Sequence, residues 1–283
     1  MSTVQAAVTV RGLEKRYDGR PAVDGVDLDV ARGEVFALLG PNGAGKTTTV
    51  EILEGYRSRD AGEVSVLGHD PAHPSSAWRA RVGVVLQSVD DLSELTVAET
   101  VRHFAGYYPH PRDPDEVMAT VGLDDGADKR VRTLSGGQRR RLDVALGILG
   151  RPELLFLDEP TTGFDPAARR VFWDLVERLA REGTTILLTT HYLDEAERLA
   201  DRVAVIARGV ILDVATPATL GGRDTAQATV AWTGRDGRRH TLRTATPTAA
   251  VSDLAADFDG EVPELSVLRP TLEDTYLAMV GEQ

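Results

Sequence analysis

The feature that most constrains the fold is a glycine-rich loop between an apolar segment and a segment of helical character. Residues 38–50 have the sequence LLGPNGAGKTTTV, in which Gly40, Gly45, Lys46 and Thr47 match G-x-x-x-x-G-K-[ST]. In that pattern backbone N–H groups cradle phosphates and the lysine reaches the β and γ oxygens. GEVFALL before the loop predicts a buried strand, and KTTTVEILEGY after it predicts a helix whose positive end favours an anion. The sequence therefore predicts a nucleotide site.

The composition of the chain limits the classes of protein to which it can belong. The 283 residues suggest one or two domains. The 32 basic and 44 acidic residues give a net charge of -12, which argues against a nucleic-acid partner. There is no cysteine, so disulfides and cysteine-ligated metals are excluded. The first residues lack the apolar core of a signal peptide, and no apolar run approaches the length of a membrane span. We expect a cytoplasmic chain whose membrane role, if it has one, requires another chain.

The order of elements predicts an α/β fold. AAVTVRG, VDLDVARG and EVFALL, within residues 4–36, predict antiparallel strands ahead of the loop, and GEVSVLG and RVGVVLQ predict two more. Helical patterns prevail from about residue 92 to residue 150 and indicate a helical insertion. The apolar runs ELLFLDEP, TTILLTTH and RVAVIARG, with a long helix between the first two, are typical of parallel strands buried on both faces.

The character of the chain changes after Pro217. ATVAWTGRDGRRHTLRT predicts a hairpin that turns at Asp236 and Gly237, and two short helical stretches follow around VSDLAADF and LEDTYLAMV. We expect a first domain over 1–220, with its helical part at about 88–150, and a small α+β domain over 221–283.

Two acidic residues end the strand LLFLDEP. In open α/β sheets ligands lie beyond the carboxyl ends of strands, which places Asp158 and Glu159 near the phosphates. Mg²⁺ prefers hard oxygen ligands, so the Thr47 hydroxyl, phosphate oxygens and waters held by Asp158 form a plausible shell. Glu159 would then polarise a water for in-line attack on the γ-phosphate. The alternative is a strand that ends in two solvated acids.

A second glycine-containing helix start lies in RTLSGGQRRRLDVAL. Ser135 suits the N-cap, and the helix start is again a place for an anion. From the residues alone three interpretations stay open. The segment is a plain helix cap, a site for another ligand, or a group that closes on the same γ-phosphate from elsewhere.

Together these motifs carry a family resemblance. The loop at 40–48, LSGGQ at 134–138 and LLFLDEP at 154–160, in this order and spacing, resemble the nucleotide-binding subunit of an ATP-binding cassette (ABC) transporter, over about residues 4–217. The resemblance implies a P-loop NTPase with a RecA-like core, an antiparallel β subdomain and a helical subdomain. It implies ATP and Mg²⁺ as ligands and ATP hydrolysis as the activity. The nucleotide-binding residues of the loop would be Gly40, Pro41, Asn42, Gly43, Ala44, Gly45, Lys46, Thr47 and Thr48.

The resemblance also assigns roles outside the loop. Tyr17 is similar to the aromatic residue that stacks on adenine. Gln87 is similar to the glutamine that ligates the metal and joins the nucleotide site to the membrane subunits. His191 is similar to the switch histidine at a strand end, and with Glu159 and Gln87 it would complete the catalytic group. Each residue also has a simpler interpretation. Tyr17 could be a surface aromatic residue, Gln87 could simply end a strand, and His191 could be a buried histidine without a catalytic role.

In this family two cassettes close head to tail. The residues Ser135, Gly136, Gly137 and Gln138 of one chain would therefore face the γ-phosphate held by the other. Because each motif occurs once here, the resemblance implies a homodimer or a paired cassette, with integral membrane permease subunits on a separate chain. Asp165 matches the family's dimer loop, TTGFDP here, in which Phe164 replaces the commoner leucine. We hypothesise that this aromatic bulk tunes closure of the dimer.

The closing segment RPTLEDTYLAMVG resembles the tail of drug-resistance exporter cassettes, which helps to hold the dimer. We therefore expect a subunit at the inner face of the membrane that drives export of a drug, lipid or other hydrophobic compound. An amphipathic terminal helix that docks through Leu272, Tyr276 and Met279 is compatible with this interpretation. The alternatives are a soluble ABC ATPase that acts on ribosomes or DNA, and a module that binds ATP without turnover.

Overall fold

The structure is a computed structural model that describes residues 6–85 and 94–281. The chain divides into two compact units between Val214 and Ala215, before the predicted boundary at residue 220. No helix in the described ranges is long and apolar enough to cross a membrane. The strands of the first unit are β1 (Ala6–Tyr17), β2 (Arg20–Ala31), β3 (Val35–Leu39), β4 (Ala61–Val66), β5 (Val82–Val85), β6 (Leu154–Asp158), β7 (Thr185–Thr190), β8 (Arg202–Ala207) and β9 (Val210–Ala215).

Two sheets form the first unit. The smaller is antiparallel, with the order β2-β1-β4. The larger has the order β5-β6-β7-β3-β8-β9, and its pairs from β5 to β8 are parallel. The prediction that EVFALL forms an antiparallel strand is wrong. All five residues of β3 are buried, so the segment suits the middle of a parallel sheet covered on both faces. By contrast, β1 and β2 contain both buried and exposed positions.

Helices cover the larger sheet and form the insertion. Residues 97–148 hold three helices that pack on one another, as the helical patterns predict. The first of these begins at a capping box in which Thr96 and Glu99 exchange hydrogen bonds. The helices of the first unit are α1 (Lys46–Leu53), α2 (Ser76–Arg79), α3 (Val97–Ala105), α4 (Pro114–Thr120), α5 (Gly136–Ile148), α6 (Pro166–Arg181) and α7 (Leu193–Leu199).

The second unit contains a three-stranded sheet and two helices. Its sheet has the order β11-β10-β12, and its elements are β10 (Ala228–Thr233), β11 (Arg239–Thr244), α8 (Pro247–Asp257), β12 (Ser266–Leu268) and α9 (Leu272–Gly281). The predicted hairpin is present, and Gly237 supplies the positive φ of 73° in its turn. Leu272 is buried, and α9 packs on the turn Leu220–Gly222, where Met279 lies beside Gly221.

The parallel sheet brings the motifs to one edge. The glycine-rich loop follows β3, Asp158 ends β6, and His191 follows β7. Because β6, β7 and β3 are parallel neighbours, their carboxyl ends open on the same side. Three segments that are far apart in sequence therefore meet at one site.

Candidate functional site

The glycine-rich loop adopts a conformation that only glycine permits at two positions. Gly45 precedes α1 with a φ of 104°, and a side chain there would meet the carbonyl oxygen of Ala22. A side chain at Gly40 would meet the carbonyl oxygen of Ile206. The loop borders a pocket of about 310 Å³ lined by Tyr17, Ala22, Asn42, Gly43, Ala44, Gly45, Lys46, Thr47, Thr48 and Glu159.

Lys46 is the buried cation of this pocket. Its side chain is 5% exposed, and its Nζ donates to the carbonyl oxygens of Gly40 at 2.7 Å and Pro41 at 3.3 Å. Burial lowers the pKa of the Lys46 ammonium, and the charges of Glu159 and Asp158 oppose that shift. The ammonium is thus held at the loop by carbonyl dipoles and carboxylates.

The Glu159 carboxylate links the loop to His191. Its Oε1 lies 3.8 Å from Lys46 Nζ and 3.4 Å from His191 Nδ1, while its Oε2 accepts a hydrogen bond from Thr162 at 3.4 Å. Glu159 has a φ of 44°, in the left-handed region that costs an ordinary side chain about 1 kcal/mol. The structure therefore brings Lys46, Glu159 and His191 together, as the sequence predicts.

Thr189 on β7 fastens the ends of two neighbouring strands. Its hydroxyl donates to Asp158 Oδ1 and accepts from the Glu159 backbone N–H at 3.0 Å, while its carbonyl accepts from the same N–H at 3.1 Å. The sequence reasoning missed this residue. The polar pair in TTILLTTH was the available signal, because a threonine in an apolar buried strand needs a partner.

Glu54 is another residue close to the site that could not be predicted from the sequence. It is the C-cap residue of α1 and is half-buried. Burial raises the pKa of Glu54 to about 8, and the charges of Asp158 and Glu51 contribute to that rise. The chain thus places a carboxyl group with a raised pKa beside the acidic strand end.

Tyr17 lies at the open side of the pocket with two cations beside its ring. The side chain is 39% exposed. Lys15 Nζ lies 5.7 Å and the Arg57 guanidinium carbon 5.4 Å from the ring centroid. Arg57 is held there by Glu51 at 2.6 Å. An aromatic face at the rim of a phosphate pocket suits stacking on a base.

The second glycine segment forms a closed cap at the start of α5. Ser135 Oγ accepts from the Gln138 N–H at 3.3 Å, and Gln138 Oε1 accepts from the Ser135 N–H at 3.1 Å. Ser135 and Gly136 are exposed, and a side chain added at Gly136 would meet no atom of the described residues within 4 Å. In the described part of the chain, none of residues 135–138 lines the pocket of the first loop.

A separate cavity of about 410 Å³ lies where α5 faces the segment after β6. Its lining includes Gly136, Arg140, Asp143, Glu159 and Phe164. Phe164 packs edge to face on the buried Phe172, with ring centroids 5.8 Å apart, so part of its bulk serves its own chain. Glu159 lines both this cavity and the first pocket and is the residue they share.

Two further residues that the sequence predicts for the site are Asp165 and Gln87. Asp165 is the N-cap of α6, where its Oδ1 accepts from the N–H groups of Ala167 and Ala168. Gln87 falls outside the described residues, so its predicted role stays a prediction.

Comparison with known proteins identifies the family. A family model described as ABC transporter matches residues 23–162. Daunorubicin resistance ATP-binding protein DrrA3 of Streptomyces coeruleorubidus is 38% identical over 304 aligned positions, which cover 98% of this chain and 96% of that protein. Nod factor export ATP-binding protein I of Ralstonia nicotianae is 46% identical over 209 positions, which cover 71% of this chain and 64% of that protein.

The fold agrees with these matches. A solved structure of an ATP-binding subunit of an ABC transporter superposes with a TM-score of 0.68 at 26% sequence identity, covering 76% of this chain and 91% of that chain. The parallel core, the phosphate loop and the Lys46, Glu159 and His191 cluster define a P-loop ATPase of the cassette type. The chain belongs to the ATP-binding subunits of ABC transporters, as the sequence predicts. It is an ATPase whose hydrolysis is coupled to transport, and the ribosome or DNA alternative finds no support in these relatives.

Glu54→Gln is expected to change the pH dependence of stability. Because folding raises the pKa of Glu54 to about 8, the folded chain holds a proton that the unfolded chain releases, and stability falls as pH rises from about 4.5 to about 8. The slope from this one group is at most about 1.4 kcal/mol per pH unit. Denaturant unfolding at pH 5, 7 and 9 should show the free energy of unfolding of the variant rising relative to that of the parent as the pH rises. The same pH dependence of this free energy in both chains would contradict the raised pKa of Glu54.

Phe164→Leu tests whether the ring tunes closure. We expect a faster steady-state ATPase rate, because the smaller side chain removes bulk beside the dimer loop. The free energy of unfolding should change by less than about 1.5 kcal/mol, since Phe164 is half-buried and leucine keeps an apolar side chain beside Phe172. Equal ATPase rates for parent and variant would remove the hypothesis.

Proposed function

We propose that the chain binds Mg-ATP at the first loop, pairs head to tail with a second copy, and uses ATP binding and hydrolysis to drive a separate membrane permease. The observation that carries this proposal is the separation of the two anion-binding segments. The first loop has its own pocket, whereas the exposed start of α5 lies outside it among the described residues. An anion site that its own chain leaves open suits a phosphate presented by a second chain.

Glu159 is the proposed general base. In hydrolysis the oxygen of a water forms a bond to the γ-phosphorus while the bond from that phosphorus to the bridging oxygen of ADP breaks. Glu159 accepts the proton of the water, and Lys46 neutralises charge on the phosphate oxygens. His191, whose Nδ1 lies 3.4 Å from Glu159 Oε1, would orient the carboxylate.

The oxygen donors fit a magnesium ion. The Thr47 hydroxyl at the start of α1 and the Asp158 carboxylate at the end of β6 are hard ligands on the same edge of the sheet. Across the described residues no cluster of three or more acidic or histidine side chains forms a metal site by itself. Phosphate oxygens and waters would therefore complete the shell, and the ion would neutralise phosphate charge. Gln87 stays a proposed further ligand.

Tyr17 is the proposed stacking partner of adenine, and residues 40–48 cradle the phosphates. The loop glycines bring backbone N–H groups close to the anion, and α1 adds its positive end. On this assignment Ser135, Gly136, Gly137 and Gln138 act on the nucleotide of the partner, and Asp165 lies at the contact between the two chains.

The names of the relatives support the proposed partners and cargo. The matched proteins are named for daunorubicin resistance and for Nod factor export. We infer that this chain drives export of a drug, lipid or other hydrophobic compound through permease subunits on another chain. It would act at the cytoplasmic face of the membrane, with Gln87 and the segment SVDDLSELTVAET that follows it as the docking surface. Residues 221–283 would support the dimer.

Glu159→Gln tests the central step. We expect the substitution to lower kcat by at least about 100-fold, because the amide cannot accept the proton of the attacking water. ATP binding should persist, so the variant with Mg-ATP should shift in solution mass from one chain of 30.5 kDa to two. Light scattering behind size exclusion measures the mass, and phosphate release measures the rate.

Glu63→Gln is the matched control, since Glu63 is exposed on β4 of the first unit and lines neither of the two cavities. It should keep the rate and the mass of the parent. A Glu159→Gln chain that hydrolyses ATP at the parental rate would contradict the assignment of the base. A Glu159→Gln chain that stays monomeric with ATP at high concentration would contradict ATP-driven pairing of this subunit by itself.

A further inference from the structure

Arg140 is a buried cation on the helix that begins at the signature segment. Arg140 is only 8% exposed, although arginine is usually found at the surface. Its Nη2 donates to the carbonyl oxygen of Asp158 at 2.6 Å, and its Nε donates to the carbonyl oxygen of Pro160 at 3.2 Å. The guanidinium therefore bridges two main-chain groups that flank the proposed base.

The surroundings of Arg140 favour a fixed position for this group. Asp143, one turn further along α5, is 6% exposed, and its charge offsets that of Arg140. Burial raises the pKa of Asp143 to about 6, and the charge of Arg140 opposes that rise. A planar guanidinium with several donors suits a bridge between two carbonyl oxygens better than a single ammonium does.

The segment that Arg140 contacts carries backbone strain. Glu159 lies between the two bonded carbonyls and has the positive φ of 44°. Thr161, two residues further, donates from its hydroxyl to Glu195 Oε1 at 2.9 Å, and that carboxylate also accepts from Trp173 at 3.1 Å. A strained turn persists only where the surrounding structure holds it, and here α5 and the buried Glu195 hold it from two directions.

We propose that Arg140 is a positioning residue that ties the signature helix to the catalytic turn of the same chain. It fixes the Glu159 backbone, and it transmits displacement of α5 to that turn when Ser135 engages a second nucleotide. The transmission step rests on the proposed head-to-tail pair. Arg140 lies five residues after Ser135, which is about 7.5 Å along a helix, so a small tilt of α5 moves both groups together.

Kinetics of Arg140→Met and Arg140→Lys test the positioning role. Arg140→Met keeps an apolar stem without donors and should lower kcat by at least about 10-fold, since small misplacement of a catalytic group is costly. The affinity for a fluorescent ATP analogue should stay within about twofold, because Arg140 does not line the pocket of the first loop. Arg140→Lys keeps a donor and should recover part of kcat.

Arg141→Met is the matched control on the same helix. Arg141 is half-buried and donates to the Gly122 carbonyl at 3.0 Å, away from the catalytic turn. It should keep kcat within about twofold of the parent. An equal loss in Arg141→Met and Arg140→Met, or a loss of nucleotide affinity that accounts for the whole effect in Arg140→Met, would overturn the positioning role.

Asp143→Asn separates the bridge from simple charge balance. If Arg140 acts through the two carbonyls, Asp143→Asn should retain most of kcat, because the bridge stays intact. Thermal unfolding of all variants checks the fold. If Arg140→Met unfolds at a lower temperature than the parent, the kcat values of Arg140→Lys and Asp143→Asn still test the bridge. A loss in Asp143→Asn as large as that in Arg140→Lys would overturn the bridge.

The transmission step is tested in the trapped background. Arg140→Met combined with Glu159→Gln should still pair on addition of Mg-ATP, since the signature residues remain intact. If Glu159→Gln pairs and the double variant does not, Arg140 builds the pairing surface and the proposal is overturned. If neither pairs, the proposed function and the transmission step fail together, while kcat of Arg140→Met still decides the positioning role.

Discussion

Parallel pairing of β6, β7 and β3 is the constraint on which the rest of the structure depends. It places the phosphate loop, the acidic strand end and His191 at one edge, although they come from three separate parts of the sequence. The strands are apolar for most of their length, so the edge is the place where the chain can carry polar groups. The chemistry of the site is therefore a consequence of how the sheet is built.

The charges at that edge are held by other polar groups of the protein. The Lys46 ammonium lies among loop carbonyls and the Glu159 carboxylate, and Glu159 also faces His191. Thr189 ties Asp158 and Glu159 to the neighbouring strand, and Arg140 adds a connection from α5. The Glu159 carboxylate thus contacts Lys46 of the phosphate loop and His191 after β7. The main chain on either side of Glu159 is held by Arg140 of α5.

The sequence was sufficient for the parts of the site that depend on short motifs with a backbone mechanism. The phosphate loop and the Asp158 and Glu159 pair could be predicted from the residues. The family resemblance was needed for Tyr17 and His191, and Gln87 stays a prediction. The parallel pairing of β3 could not be predicted from its five apolar residues, because an apolar run does not reveal its neighbours. Arg140 and Glu54 were missed because burial of a charged group depends on tertiary packing, and an RRR run is usually a solvated face.

The composite site is tested most directly by mixing two inactive chains. Lys46→Ala removes the phosphate lysine, and Ser135→Arg blocks the signature segment, so either variant alone should be inactive. In a head-to-tail pair of the two, one site combines the intact Lys46 of one chain with the intact Ser135 of the other. The account predicts that ATPase activity appears on mixing. If the mixture is no more active than its two components, the signature segment does not act on the nucleotide of a second chain.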